Sequence, residues 1–531
     1  MPRKSKFIRR GYFPKELPPA FSSLKFAKLV TSANAPQLRV PPQTRVLLPT
    51  HSIPRPGGMR RVLGIPNPVL HASLATEIAD NWALIRTQIL RSPLAASAPK
   101  LVATSGRAAV PKFLHGDLPV RRAFERKRGR FVLEADVAEY YSTFYTHSIP
   151  WVLHGKEYAK QHQREDNLGN RLDRLVRNAQ DRQTNGIPVG PDTSFVLGEL
   201  VLSTVDVQLA DRIGHLSGHR HYDDYELVFE TRSDAEACLI ALQACMNEVG
   251  LQLNGRKTRI LELPQLLDVQ WRDFVRNFNG FEGRRPGAHR VIAFFNGVFN
   301  AHQTWPESHV LAYAIGRIEK EEWADDEIPT LQALLQQCAT ARPEAVAPVL
   351  RLIARFKVED RNLDYGSLQD LLNDLVVFHS RRLNVNEVAW CLWAAMAFER
   401  ELSSGAAEQI SRLDDPFVAL LALDAMSRGL VRGPLDTSRW KVEMTANGLY
   451  GKHWPLAYEA LRRGWLTSAE GTDYIAQDDC YSFLRRDGAG PYVRFTELTP
   501  AIVESMRLPR VEYGIESIDD EEDLSLDDFD L

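Results

Sequence analysis

The spacing of apolar residues changes partway along the chain. In residues 131–264, short stretches of alternating apolar and polar positions, such as residues 225–229, are interleaved with stretches of helical periodicity. Beyond residue 290 the helical periodicity continues almost without strands, as in residues 330–356, where a turn near Pro343 separates two amphipathic segments. The pattern predicts an α+β domain around a sheet, followed by an all-α region.

Composition along the chain gives the expected domain boundaries. Residues 1–130 are rich in proline and arginine, and residues 131–285 hold the interleaved strands and helices. A stretch rich in glycine, proline and arginine, residues 278–290, precedes a helical region, residues 286–512, whose paired helices predict an irregular HEAT-like stack without a clean sequence repeat. The acidic residues 513–531 have the composition of a disordered tail.

Overall composition narrows the class of protein. A hydrophobic fraction of 44% and a charged fraction of 25% indicate a globular protein with a real core. The net charge of -3 excludes a global positive field, although residues 1–10 and 120–131 are strongly basic. Scattered cysteines without a CxxC spacing argue against a disulfide framework or a zinc site. We find no apolar run of membrane-spanning length and no signal-peptide core, so we expect a cytoplasmic protein without membrane contact.

The candidate chemistry begins with the adjacent aspartates Asp223 and Asp224 in the stretch RHYDDYELVF. The same dipeptide recurs at five other places, so alone it indicates only hydrated surface. Here, however, an alternating strand follows the pair and aromatic residues precede it. We expect a β-hairpin with both carboxylates at its tip, where two buried like charges are costly without a cation.

Three further stretches complete the pattern, although each is ordinary when taken alone. In FVLEADVAEYYSTFY, an apolar strand ends at Asp136, and Tyr141 follows five residues later. In NGIPVGPDTSF, a glycine-rich turn that includes Gly190 opens a helix. In LNGRKT, an Asn-Gly turn precedes Lys257.

The order of these stretches resembles the palm domain of the reverse transcriptases. ADVAEYYSTFY is similar to their motif A, GIPVGPDTS to motif B, HYDDY to motif C and LNGRKT to motif D, while the upstream RRVLGIPNP resembles their fingers segment. RGYFPKELPP, RHYDDYELVF, ELPQ and WPLAYEALRRGWL are similar to the bacterial abortive-infection and unknown-group lineage, which defends against phages. The resemblance implies a right-hand fingers-palm polymerase domain followed by an all-α HEAT-like helical domain in place of a thumb.

The same resemblance implies the site residues. Asp136, Asp223 and Asp224 would be catalytic and, with the main-chain oxygen of Val137, would hold two ions of Mg²⁺ or Mn²⁺. The other predicted site residues are Arg60 and Arg61 at the triphosphate, Tyr141 as the steric gate against a 2′-hydroxyl, Gly190 where the backbone approaches the nucleotide, Lys257 at the leaving pyrophosphate and Tyr222 at the primer end. The sequence does not decide between the two arginines, and Tyr141 as a core aromatic and Lys257 as a surface lysine stay open as alternatives.

Two positions depart from the family pattern. His221 stands where the first position of the Asp-Asp box is usually Tyr or Phe, and Val189 stands where motif B often has Gln. The aspartates are intact, so we expect the chemistry to be retained, while the departures leave templating and fidelity open.

The resemblance predicts an antiphage RNA-directed DNA polymerase that uses dNTPs. It would either work without a template from a protein primer, leaving the DNA product covalently attached, or copy a bound noncoding RNA, and it would form a homo-oligomer. One alternative is a catalytically silent palm scaffold that binds RNA or a phage protein through its helical domain. The other is a mobile-element reverse transcriptase such as an intron maturase, for which we see no thumb or endonuclease region.

Overall fold

The computed structural model of the protein describes residues 3–32, 45–102, 107–281, 287–486 and 488–494. Over these ranges the fold is mixed α+β, as the sequence predicts.

Two sequence predictions fall partly or wholly outside this part of the chain. The acidic tail, residues 513–531, lies outside the described residues, as do residues 282–286 of the glycine- and proline-rich stretch.

The strands of the described residues form one four-stranded sheet and two separate antiparallel pairs. They are β1 Thr50–Pro54, β2 Arg60–Gly64, β3 Pro99–Leu101, β4 Ala109–Pro111, β5 Phe131–Asp136, β6 Ser217–His221, β7 Asp224–Phe229 and β8 Arg259–Glu262. β1 pairs with β2 and β3 with β4, and the four-stranded sheet has the order β6-β7-β5-β8. All of its pairings are antiparallel.

Helices occupy most of the remaining described chain. Up to residue 281 they are α1 Arg3–Arg9, α2 Leu24–Ser32, α3 Pro68–Asp80, α4 Trp82–Ile89, α5 Leu118–Glu125, α6 Tyr140–Thr143, α7 Ser148–His154, α8 Lys156–Gln161, α9 Leu168–Asn178, α10 Asp192–Ile213, α11 Arg232–Glu248 and α12 Gln270–Arg276, with 3₁₀ turns at Pro56–Gly58, Arg126–Arg128 and Asn279–Phe281.

Beyond residue 287 the named elements of the described chain are all helical. They are α13 Ala288–Thr304, α14 Val310–Ile318, α15 Ile328–Ala341, α16 Pro343–Val358, α17 Tyr365–Ser380, α18 Val385–Phe398, α19 Ser404–Ile410, α20 Pro416–Ser427, α21 Ser438–Lys441, α22 Trp454–Arg462, α23 Tyr474–Gln477 and α24 Asp479–Arg486, with a 3₁₀ turn at Asn447–Tyr450. The predicted break at Pro343 is confirmed, because this proline opens α16. A HEAT-like arrangement stays a prediction.

The four-stranded sheet is covered on one face by helices. Helix α11 packs against β5 and β7, and α10 packs against α11. Leu133 and Leu227, which are partners across β5 and β7, are both fully buried. Side chains at alternate positions point to the other face, so Glu134 and Glu226 lie opposite one another there. The sheet therefore has one apolar face and one charged face.

Helix α10 corrects one expectation. It is long and apolar enough to cross a membrane by length and composition, so the expectation that no apolar run reaches that length is wrong. However, 78% of its apolar window is buried inside the protein, and the core helix of a soluble protein passes the same test.

The first residues of the chain pack against the last described ones. The Phe21 ring lies 5.0 Å from that of Phe417 and 5.4 Å from that of Tyr492, measured between centroids. The amide of Ser22 donates to the carbonyl of Pro491 at 3.0 Å. A linear division into an N-terminal and a helical unit does not anticipate this shared core. Removing the helical half would leave these apolar side chains exposed.

Candidate active site

The fold brings the three predicted aspartates to one edge of the sheet. Asp136 ends β5 and lies directly across the antiparallel pair from Asp224, the first residue of β7. Asp223 lies with Tyr222 in the tight turn between β6 and β7, which confirms the predicted hairpin. The amide of Val137 donates to the carbonyl of Asp223 at 3.2 Å, so the end of β5 is bonded to the turn.

Like-charge repulsion is visible at this edge. Burial, followed by the neighbouring carboxylates of Asp223 and Asp136, raises the pKa of Asp224 to about 7. Burial also raises the pKa of Asp223, and the charge of Asp136 adds to that effect. The charge of Lys257 opposes both shifts, and the charge of Arg61 opposes that of Asp223. The edge is therefore a place where an added cation would be stabilised.

The Asn-Gly turn carries two side chains to Asp136. The Nδ2 of Asn254 donates to Oδ1 of Asp136 at 3.1 Å, and the Nζ of Lys257 donates to Oδ2 at 2.7 Å. The amide of Asn254 also donates to the main-chain oxygen of Asp136 at 2.7 Å. Burial lowers the pKa of Lys257, but its hydrogen bond to Asp136 and the charges of the three aspartates together outweigh this, and the net shift is upward. Lys257 is thus a charged partner of the predicted catalytic carboxylate.

The donor set suits a hard divalent ion, but it is not preassembled. Asp136, Asp223 and Asp224 offer the carboxylate oxygens that Mg²⁺ and Mn²⁺ bind, and Val137 lies beside them. Among the described residues, no three His, Cys, Asp or Glu side chains are gathered closely enough to hold a metal ion. An ion would have to draw these carboxylates together and replace the ammonium of Lys257 on Asp136.

A buried ionic network supports the aspartate turn from below. Arg220 is fully buried, and its guanidinium pairs with Glu199 at 3.0 Å and Asp206 at 2.9 Å, both on α10. It also donates to the main-chain oxygen of Tyr222 at 2.7 Å. Ser97 donates to Glu199 at 2.7 Å and accepts from the amide of Tyr222 at 2.6 Å.

Sequence reasoning missed this network, although a signal was present. Glu199 and Asp206 are seven residues apart in a mainly apolar stretch of α10, so both lie on one face and need a buried partner. Arg220, three residues before the first aspartate of the box, is that partner.

Tyr222 and His221, the two residues that precede Asp223, both pack against neighbouring parts of the protein. Tyr222 adopts a left-handed backbone with φ 56°, and its ring lies 5.1 Å from that of Phe195. His221 is buried, and one ring nitrogen lies 3.0 Å from the carbonyl of Phe113. Burial lowers the pKa of His221 to about 2, so the ring is neutral. The His at this position therefore acts as a buried aromatic ring that bonds to a neighbouring loop.

Tyr141 lies on the segment that follows Asp136, where the charge of Asp223 acts on it. It is half-buried, and burial followed by the charge of Asp223 raises the pKa of its hydroxyl. The neighbouring Tyr140 points into the core instead and donates to the carbonyl of Gly198 at 2.7 Å. The main-chain oxygen of Tyr141 accepts from the amide of Ile187 at 2.8 Å, which joins the segment to the glycine-rich turn.

Gly190 is required by packing within the protein. Its φ of 124° disfavours other residues, and a Cβ there would meet Cγ of Pro14 at 2.6 Å. The carbonyl of Gly190 accepts from Arg107 at 2.6 Å. The predicted approach of this backbone to a nucleotide stays a prediction.

The two arginines predicted at the triphosphate, Arg60 and Arg61, have different surroundings. Arg60 is bound by Glu387 of the helical half, at 2.6 and 3.0 Å from its two carboxylate oxygens. Arg61 is exposed, and its charge opposes the upward pKa shifts of both Asp223 and Tyr141. Arg55, which the sequence did not single out, is also influenced by Asp223 and by Asp136. The charges of Arg61 and Arg55, on and beside the antiparallel pair β1–β2, therefore act on the predicted site.

A cavity of about 480 Å³ opens on the charged face of the sheet. Asp136, Asp224 and Lys257 line it, together with His115, Leu118, Arg122, Glu134, Ala135, His219, His221, Tyr225, Glu226, Arg256 and Arg259. Part of the basic stretch 120–131 is used here, because Arg122 and Arg126 both pair with Glu226. The cavity has the size of a small-molecule site.

Comparison with known proteins adds little. No family model matches the chain, and no curated protein matches it. Among solved structures, the chain is similar to apo telomerase from Candida tropicalis, at 9% identity and a TM-score of 0.31, over 73% of this chain and 68% of that one.

Replacing Arg220 by Met should strongly destabilise the fold, because Glu199 and Asp206 would stay buried without a partner. We expect the free energy of unfolding in urea to fall by about 3–5 kcal/mol. The control is Arg232→Met, which removes an exposed pair with Glu236 and should cost no more than about 0.5 kcal/mol. Equal effects of the two substitutions would show that the network does not support the turn.

Asp223→Asn should stabilise the metal-free protein. The folded-state pKa of Asp223 is raised, so its ionised form opposes folding above its ordinary pKa. The gain in Tm should therefore be present at pH 7–8 and shrink as the pH falls towards the ordinary pKa of an aspartate, about 4, because the raised folded-state pKa costs stability only above that value. Thermal unfolding in EDTA measures this, with Glu230→Gln on the exposed strand end as the control. A lower Tm for Asp223→Asn at pH 8 would contradict the repulsion.

Proposed function

We propose that the protein is a DNA nucleotidyltransferase of the reverse transcriptase kind, which adds deoxynucleotides from dNTPs to a 3′-hydroxyl. The observation that carries the proposal is the meeting of Asp136, Asp223 and Asp224 at one sheet edge. These carboxylates repel one another, and one of them binds the ammonium of Lys257, so this edge of the sheet favours bound positive charge. Such an edge suits a reaction in which a triphosphate must be neutralised.

The reaction forms one bond and breaks one bond. The oxygen of the 3′-hydroxyl attacks the α-phosphorus, the bond from that phosphorus to the bridging oxygen breaks, and pyrophosphate leaves while the hydroxyl proton is released. Mg²⁺ or Mn²⁺, held by Asp136, Asp223, Asp224 and the carbonyl of Val137, would stabilise charge on the attacking and leaving oxygens.

The protein's own groups would perform the remaining tasks. Arg61 and Arg55 would bind the triphosphate through guanidinium hydrogen bonds. Lys257, released from Asp136, would give a proton to the leaving pyrophosphate. The ring of Tyr141 would lie under the sugar and exclude a 2′-hydroxyl, and Tyr222 would contact the primer end.

We further propose a role in defence against phages, which rests on the resemblance to the abortive-infection lineage. Synthesis would be template-independent and start from a protein hydroxyl, or it would copy a bound noncoding RNA. A cytoplasmic homo-oligomer fits both modes. Sequencing the DNA that the purified protein makes from dNTPs and Mg²⁺ separates them, because only a copied RNA gives one defined sequence.

A catalytically silent scaffold is the second candidate. It is favoured by the absence of a preassembled three-ligand group among the described residues and by the lysine that sits on Asp136. A scaffold would bind RNA or a phage protein without incorporating nucleotides, so incorporation of labelled dNTPs decides between the two.

Asp136→Asn should abolish dNTP incorporation and phage protection while leaving the protein folded. It removes one of the carboxylates that face each other across β5 and β7, and charge stabilisation carries most of phosphoryl-transfer catalysis. Glu230→Gln, a matched neutralisation away from the site, should keep wild-type activity. Incorporation by Asp136→Asn at the wild-type rate would contradict the proposed function.

Tyr141→Ala should admit ribonucleotides, because removal of the ring opens the space that a 2′-hydroxyl needs. Competition between dNTPs and rNTPs measures the selectivity. Tyr141→Phe keeps the ring and should keep the exclusion. If the alanine variant still rejects rNTPs, Tyr141 is a core aromatic residue and the selection lies elsewhere.

A further inference from the structure

The β1–β2 hairpin is held by the helical half of the chain from both of its faces. Arg60 on β2 runs along β1, donating through Nε to the hydroxyl of Ser52 at 2.8 Å and through Nη2 to its carbonyl at 2.6 Å. It ends in a two-pronged pair with Glu387 of α18, whose side chain is fully buried. Paired geometry of this kind fixes direction as well as distance.

A second set of contacts with the helical half is made on the opposite face of β1. His51 is fully buried, and its ring nitrogens lie 3.0 Å from Oδ2 of Asp415 and 3.2 Å from Oδ1 of Asn386. Asp415 is itself fixed, because it accepts from the first amides of α20 at 2.9 Å. Asn386 and Glu387 are consecutive residues of α18, so the start of this helix holds β1 from both sides.

These contacts with the helical half determine the direction of Arg61, the other arginine of the hairpin. Successive side chains of a strand point to opposite faces, so Arg60 fixed on Glu387 leaves Arg61 on the other face of the hairpin, which is the face that carries His51. Arg61 then lies where its charge acts on Asp223 and Tyr141. The amide of Gly64, at the end of the same strand, donates to the carbonyl of Val189 at 3.0 Å, which joins β2 to the glycine-rich turn of the palm.

The tip of the hairpin also meets the helical half. Gly57 lies beside the side chain of Glu307, which would be 3.7 Å from a Cβ at that position. Burial, followed by the charges of Arg55 and Arg61, lowers the pKa of His309, just before α14. The charges of Arg55 and Arg61 therefore act both on the aspartates and on the start of the helical half.

We propose that Glu387 is a positioning residue of the nucleotide site: through Arg60 it holds the β1–β2 hairpin so that Arg61 faces the catalytic aspartates. This inference rests on the proposed function, and it gives the helical half a defined part in nucleotide binding. Arg60, which the resemblance placed at the triphosphate, is the anchor of the hairpin and Arg61 is the ligand.

The test is Glu387→Gln in the full chain, which removes the charge and keeps the shape. We expect the KM for dNTPs to rise roughly ten- to a hundredfold, the range that one charge-assisted hydrogen bond gives, with a smaller change in kcat. The matched control is Glu327→Gln. Glu327 is an equally buried carboxylate that pairs with Arg290 in the helical half. Glu327→Gln also removes a buried charge that pairs with an arginine, but it lies away from the hairpin and should leave the KM for dNTPs unchanged.

A double variant with Arg61 shows whether Glu387 acts by positioning Arg61 or by general destabilisation of the protein. If Glu387 acts through Arg61, the double variant Glu387→Gln with Arg61→Ala should have the KM of Arg61→Ala alone. Additive effects, or an equal rise in KM for Glu327→Gln, would overturn the proposal.

Hydrogen exchange of residues 50–64 supplies a readout that needs no activity. Amide exchange there should quicken in Glu387→Gln but not in Glu327→Gln. Unchanged amide exchange in Glu387→Gln would show that Glu387 does not hold the hairpin in place. A wild-type protein that incorporates no nucleotide, with exchange altered as expected, overturns the proposed function and the nucleotide role of Glu387 together, and leaves only its hold on the hairpin.

Discussion

Three carboxylates at one sheet edge repel one another, and much of the surrounding structure deals with that repulsion. The antiparallel register places Asp136 against Asp224, and the tight turn adds Asp223. Lys257 supplies a positive charge directly on Asp136, while Arg220, buried beneath the turn, ties its backbone to α10. A fold selected for stability alone would replace such a cluster by apolar or neutral residues, since a carboxylate whose pKa is raised on folding, as that of Asp223 is, opposes folding at neutral pH. Destabilised arrangements of this kind mark functional sites.

The two buried ionic groups have different tasks. Arg220, on β6, pairs with Glu199 and Asp206, on α10, and so fixes the position of the aspartate turn relative to that helix. Arg60 with Glu387 joins elements that lie over 300 positions apart in the chain. Buried ion pairs contribute little net stability compared with apolar packing, but they demand one geometry. Both groups therefore suit a site where the direction of side chains matters more than stability.

The sequence allowed the central elements of the site to be predicted, because they depend on local patterns. Alternation after Asp224 predicts a strand, and a residue at the end of an apolar strand predicts the place of Asp136. Long-range partners carry no such local signal. Whether Arg60 or Arg61 faces the site depends on Glu387, and the packing of Phe21 against Phe417 depends on how the chain ends meet. The role of Gly190 is similar, because only the position of Pro14 shows why a side chain is excluded there.

The central claim is that the three aspartates bind the metal that serves nucleotide addition. Crystals of the full-length protein grown with Mn²⁺ and a non-hydrolysable deoxynucleoside triphosphate test it most directly, since manganese is located by its anomalous scattering. The account predicts manganese between the carboxylates of Asp136 and Asp223–Asp224, with Lys257 displaced from Asp136 and the triphosphate directed to Arg61. Manganese absent from this edge, with Lys257 still bonded to Asp136 beside a bound triphosphate, would contradict it.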